Sequence, residues 1–241
     1  MKTAWINLIA AKTADLLYPG ICPVCNNIAR RSTGICPECE RRLPYIGSSY
    51  CMKCGKPVDD DEEYCFDCTR CTHEYDEGRA ALVYDEITSK SIYRFKYNNK
   101  REYAKVYGRI IDERLRDKIR SWNVDALIPV PIHKSKLKKR GYNQAELIAD
   151  EMSKRLGIPV CTSLIERSAA TSVQKELSAA ARQNNLKKAF NVRGNDVKYN
   201  AVLIVDDIYT TGATVDAMAR CLKGVGIRNV YFVSLCIGRG T

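Results

Sequence analysis

The chain has 241 residues, 12 cysteines and a formal net charge of +11, from 39 Lys/Arg against 28 Asp/Glu. That length accommodates one α/β core plus a smaller module, and the charge predicts an anionic partner. No apolar run approaches the ~20 residues that span a bilayer, which argues against a helical membrane span.

Residues 2–17 hold a short apolar stretch, but Lys12 and Asp15 interrupt it, and Tyr18-Pro19 stands where a signal peptide carries small residues. Trp5, Leu8, Ile9 and Leu16 fall near one helical face, so a short docking helix is expected over 1–19. Eight cysteines follow in four C-x-x-C pairs: Cys22/Cys25, Cys36/Cys39, Cys51/Cys54 and Cys65/Cys68. Two-residue spacing lets both thiolates of a knuckle reach one tetrahedral ion at about 2.3 Å, so four knuckles predict two Zn2+ sites of four thiolates each. The same spacing argues for a reducing compartment rather than a disulfide scaffold. The knuckles pair either sequentially or cross-braced, and Cys71 competes with Cys68 as a ligand. So short a segment buries little core, and the metal is expected to hold residues 20–77 folded as a double zinc ribbon. The acidic run Asp59-Asp60-Asp61-Glu62-Glu63 lacks the glycine and ligand spacing of a calcium loop and reads as solvated.

Residues 80–84 read as a strand. Residues 88–120 read as one or two basic helices with Ile92, Phe95, Val106, Ile110 and Leu115 as partial apolar stripes. Sixteen Lys/Arg against five acids between residues 88 and 140 account for the whole positive surplus. Tyr93, Phe95, Tyr97, Tyr103 and Tyr107 interleave with those cations, a pattern that suits base stacking on single-stranded DNA. Residues 125–131 make a buried strand ended by Pro129 and Pro131. A basic loop over 132–144 follows, then a helix to about Leu156.

The most informative stretch is Val202-Leu203-Ile204-Val205-Asp206-Asp207-Ile208-Tyr209-Thr210-Thr211-Gly212-Ala213-Thr214. Four apolar residues predict a strand buried on both faces, and ligands of open α/β sheets bind where such strands end. Thr210, Thr211, Gly212, Ala213 and Thr214 supply hydroxyls, free N–H groups and a glycine ahead of a helix, which together suit a phosphate. Asp206 and Asp207 suit sugar hydroxyls, since hydrogen bonds to ionised carboxylates are strong. No lysine follows the glycine, so this is not a Walker loop. Val215, Met218 and Leu222 mark the next helix, Gly224 and Gly226 a turn, and 230–237 a last strand.

This stretch resembles the phosphoribosyl-diphosphate (PRPP) motif of the type I phosphoribosyltransferases. Pro129-Val130-Pro131, Arg140-Gly141-Tyr142-Asn143-Gln144 and Thr171-x2-Gln174-x2-Leu177-x4-Arg182-x2-Asn185-Leu186 narrow the resemblance to the ComF competence family, ComFC type. The resemblance implies an α/β fold: a doubly wound parallel-sheet phosphoribosyltransferase type I core at 121–241, a basic helical hood at 78–120, and an N-terminal cysteine-rich zinc-ribbon domain. It implies Mg2+-dependent transfer from PRPP to an unknown acceptor. Asp206 and Asp207 would hold the ribose 2′- and 3′-hydroxyls, residues 210–214 the 5′-phosphate, and His133, Lys134 and Arg140 the diphosphate. Gln174, Arg182 and Asn185 would belong to a loop that closes over the site. It further implies a cytoplasmic role in DNA uptake. The competing expectation is a non-catalytic factor that binds single-stranded DNA and uses PRPP as a ligand, and a third makes the ribbons a docking module for competence-machinery proteins.

Overall fold

A computed structural model of the chain describes residues 20–29, 33–167, 189–193 and 198–239. The docking helix expected over 1–19 and the loop residues Gln174, Arg182 and Asn185 lie outside these residues.

The core is a four-stranded, wholly parallel sheet in the order β1-β6-β5-β2. Its strands are β1 (Glu77–Val83), β2 (Ala126–Pro129), β5 (Ala201–Tyr209) and β6 (Asn229–Ile237). A short antiparallel pair, β3 (Ile165–Arg167) with β4 (Phe190–Val192), stands apart from it. Two parallel strands need a crossover, and helices supply it on both faces. α3 (Glu86–Tyr97), α4 (Tyr103–Ser121) and α6 (Gln144–Leu156) cover one face, where Phe95, Ile110, Ile148 and Met152 meet Leu203 and Val205 of β5. α7 (Ala213–Gly224) covers the other, where Val215, Met218 and Leu222 meet Val202 and Ile204. The alternation along β5 therefore serves two cores at once, the reason its apolar run is unbroken.

The ribbons dock on different faces. Cys22, Ile35, Cys39 and Leu43 join the core under α3 and α4, whereas Cys51, Cys54, Cys65 and Tyr75 join the core under α7. Each ribbon repeats one design. A left-handed residue, Asn26 (φ 64°) or Gly55 (φ 79°), closes the first knuckle, and a short helix starts after the third cysteine and carries the fourth. These helices are α1 (Pro37–Arg42) and α2 (Phe66–Arg70).

Several expectations shift. The hood expected at 78–120 begins instead with β1, an edge strand of the main sheet paired with β6. The basic stretch that follows is two helices, parted at Asn99, whose φ of 52° no helix continues. The basic loop expected over 132–144 contains a helix, α5 (Lys134–Arg140), stopped by Gly141 at φ 77°. β5 runs on through the acid pair to Tyr209, because β6 keeps pairing with it: Asp206 lies opposite Ser234 and Tyr209 opposite Ile237.

Candidate functional site

The C-terminal end of β5 carries the acid pair. Asp207 is 7% exposed and Asp206 is half-buried, and the Asp207 N–H donates to Asp206 Oδ1 at 2.8 Å. Burial first, and the Asp207 carboxylate second, push the Asp206 carboxyl up to about 8. Lys96, near the end of α3, places Nζ 2.8 Å from Asp207 Oδ2 and partly offsets that effect.

Beyond Tyr209 the chain turns into α7. Gly212 adopts φ 81°, ψ −9°, and the Gly212 carbonyl accepts the Asp216 N–H at 2.8 Å. A Cβ at Gly212 would fall 2.5 Å from the Tyr209 hydroxyl and 3.1 Å from His73 Cε1, so glycine is required by both backbone and space. Among the described residues no side chain caps the helix, which leaves its first N–H groups uncapped by them beside exposed Thr210 and Thr211.

Cations converge on the same end of the sheet. Arg167 at the end of β3 is pulled down by burial while the Asp206 charge holds it up. Lys136 on α5 is pulled down by burial and then by the charges of Arg167, Arg140 and Lys96, which marks four cations as neighbours. Arg140 donates to Gln144 Oε1 at 2.8 Å and to the Tyr97 hydroxyl at 3.2 Å. Of the three diphosphate contacts expected from sequence, Arg140 is one whose charge acts on Lys136. His133 caps α5, its Nδ1 lying 2.6 Å from Ser135 Oγ and accepting the Ser135 N–H at 3.2 Å, and Lys134 points to solvent. A helix was not expected there, so which of its cations would lie near Arg167 and Lys96 was not legible. Arg167 is the functional candidate that sequence reasoning missed, whereas Lys96 and Lys136 were read there only as parts of the basic stretch. Lys96 and Lys136 lay within the charge surplus already noted, whereas Arg167 had no signal of its own.

A pocket of about 580 Å³ is lined by Tyr84, Tyr93, Tyr97 and Asn98 among others, and by Lys96, which pairs with Asp207, and Ile208, the next residue after the acid pair. Tyr93 and Tyr97 are 60% and 53% exposed with ring centroids 4.8 Å apart, so both can present a face. The other three aromatics of the sequence pattern, Phe95, Tyr103 and Tyr107, are buried in the core and offer no stacking surface.

The cysteines form two tetrads, Cys22/Cys25/Cys36/Cys39 and Cys51/Cys54/Cys65/Cys68, with the sulfurs of each within 4.8 Å of one another. Pairing is therefore sequential. Cys71 is exposed and outside the second tetrad. The Cys25–Cys36 and Cys54–Cys65 sulfurs are each 3.6 Å apart. A tetrahedral Zn–S bond of about 2.3 Å sets sulfurs about 3.8 Å apart, so both tetrads fit zinc. Among the described residues, no helix is long and apolar enough to cross a membrane.

Comparison with known proteins agrees with this division. The double zinc ribbon domain family matches residues 13–69, and the phosphoribosyl transferase domain family matches residues 142–241. Competence protein F of Haemophilus influenzae is 31% identical over 209 residues, covering 85% of this chain and 90% of that protein. The DNA utilization protein YhgH of Salmonella typhi is 29% identical, over 92% of this chain and 98% of its own. Competence protein ComFC of Bacillus subtilis is 25% identical, over 80% and 79% respectively. A double zinc ribbon seated on a phosphoribosyltransferase domain, with this likeness to Competence protein F running nearly end to end, makes the chain a member of the ComF family of competence proteins.

Proposed function

We propose that this chain binds PRPP with Mg2+ and transfers its phosphoribosyl group to a nitrogen nucleophile. The observation that supports this best is the arrangement at the end of β5: an acid pair directly ahead of a glycine-pinned helix N-terminus, with Lys96, Lys136, Arg140 and Arg167 gathered around it. The N–H groups of residues 210–214 and the α7 dipole suit the 5′-phosphate. Asp206 and Asp207 suit the ribose 2′- and 3′-hydroxyls, and the four cations suit the diphosphate as its charge grows. The C1–O bond breaks with its electron pair leaving on the diphosphate, the acceptor nitrogen forms the new bond to C1, and the proton on that nitrogen is released to solvent. Burial and the Asp207 carboxylate hold the Asp206 carboxyl up at about 8, and a divalent cation at the pair would favour its ionised form. Mg2+ carried on the oxygens of PRPP would neutralise part of the leaving group's charge. The acceptor's place is the pocket lined by Tyr84, Tyr93 and Tyr97, adjacent to Ile208 and Lys96, and its walls suit a planar heterocycle.

The exposed Tyr93–Tyr97 pair also favours a second reading, a cytoplasmic factor that handles single-stranded DNA in competence with PRPP as ligand. Calorimetric titration of PRPP with Mg2+ into the wild type and into an Asp206→Asn/Asp207→Asn variant tests the site. Binding by the wild type alone is expected, and no binding by either would refute the enzyme reading. Salt-dependent affinity for single-stranded DNA that persists without PRPP, and is lost on reversing Lys96, Lys100 and Arg101, would favour the second reading.

A further inference from the structure

The segment that joins the second ribbon to β1 is gripped from both sides. From the ribbon, Lys53, inside the Cys51/Cys54 knuckle, donates through Nζ to the carbonyls of Tyr75 and, at 3.1 Å, Asp76. The Lys53 carbonyl accepts the Gly78 N–H at 2.8 Å. From the core, the fully buried Tyr75 places its hydroxyl 2.7 Å from that of Tyr209, the last residue of β5. His73 stacks on Tyr75 with centroids 4.8 Å apart, and its Nδ1 lies 2.9 Å from Asp216 Oδ2. The other oxygen of Asp216 accepts the Glu74 N–H at 2.9 Å. The His73 side chain is only 4% exposed, its Nε2 is buried with no hydrogen-bond partner among the described residues, and its Cε1 backs Gly212.

Asp216 stands in the first turn of α7. A carboxylate there competes with a bound phosphate for the positive end of the helix dipole, and a free one would repel the anion. His73 and the Glu74 N–H take up both of its oxygens and hold it in place. We propose that His73 is a positioning residue for the anion site at residues 210–214: it restrains the Asp216 carboxylate and backs Gly212, so that the second ribbon governs the affinity of this loop for a phosphate monoester. The inference rests on the reading of residues 210–214 as a 5′-phosphate site.

The test is calorimetric titration of ribose 5-phosphate, and separately of inorganic diphosphate, into the full chain, with zinc content measured for every variant. His73→Ala is expected to weaken ribose 5-phosphate about tenfold while leaving diphosphate nearly unchanged. Adding Asp216→Asn to His73→Ala is expected to recover most of the loss, because it removes the liberated charge. His73→Asn, which keeps a donor near the position of Nδ1, is expected to bind close to wild type. If the wild type binds ribose 5-phosphate and His73→Ala binds it equally well, the inference is overturned and the phosphate reading stands. Failure of Asp216→Asn to restore binding, or of His73→Asn to retain it, overturns the inference as well. If the wild type itself does not bind ribose 5-phosphate, the phosphate reading fails and takes the inference with it.

Discussion

If Asp206 and Asp207 hold the ribose of PRPP as proposed, the raised Asp206 carboxyl makes binding a proton-release reaction. With its carboxyl at about 8 in the free protein, the acid pair holds one proton at neutral pH. Ribose hydroxyls and a divalent cation both demand the ionised pair, so binding must expel that proton below pH 8. The ionised fraction falls from about one half at pH 8 to about one hundredth at pH 6, and intrinsic affinity should therefore drop about fiftyfold across that interval. Above pH 8 the dependence should flatten. The ligand's own 5′-phosphate, with its second pKa near ~6, contributes only about a tenth of a proton at pH 7. Calorimetry of PRPP and Mg2+ at pH 7, in two buffers of different protonation enthalpy, should thus report release of nearly one proton per ligand. At pH 9 the release should approach zero, and Asp206→Asn should release almost none at either pH. An affinity that is flat between pH 7 and 9, with no proton released at pH 7, would refute the assignment of these carboxylates to the ribose.

The same carboxyl opposes folding as pH rises. Its folded value lies above the unfolded one, so the native state binds more protons between about pH 4 and 8 and stability falls across that window. Asp206→Asn should raise the melting temperature most at pH 8.5, with a stability gain of at most about 6 kcal/mol, and the gain should shrink toward pH 5; a pH-independent change would contradict the shift. Cys71→Ser should leave two zinc ions per chain, because Cys71 lies outside both tetrads, whereas Cys54→Ser should lose one and lower the melting temperature, as metal analysis and thermal melts can check. Gly212→Ala should cost about 1–3 kcal/mol in chemical denaturation and abolish ribose 5-phosphate binding, since a Cβ at φ 81° also meets the Tyr209 hydroxyl. Wild-type binding by that variant would show that the loop does not need its observed conformation.

Sequence alone determined the elements whose chemistry is local. An unbroken apolar run followed by Asp206 and Asp207 reads as a strand buried on both faces, and the structure places it at the sheet centre. The eight knuckle cysteines read as two tetrahedral sites, because ligand geometry is written into a two-residue spacing. Tertiary structure decided whatever depends on which distant elements meet. Knuckle spacing is the same for sequential and cross-braced pairing, so only the fold chose the first and excluded Cys71. Phe95, Tyr103 and Tyr107 alternate with cations just as Tyr93 and Tyr97 do, yet packing under the sheet removed the first three from solvent. The cations that gather at Asp206 and Asp207 come from α3, α5 and β3, and no local pattern relates Lys96, Lys136 and Arg167. His73 carried no sequence signal, because its partner Asp216 lies 143 residues away and their meeting depends on the second ribbon packing against the core beneath α7. Periodicity and spacing report on neighbours along the chain, whereas burial and charge pairing are set by neighbours in space.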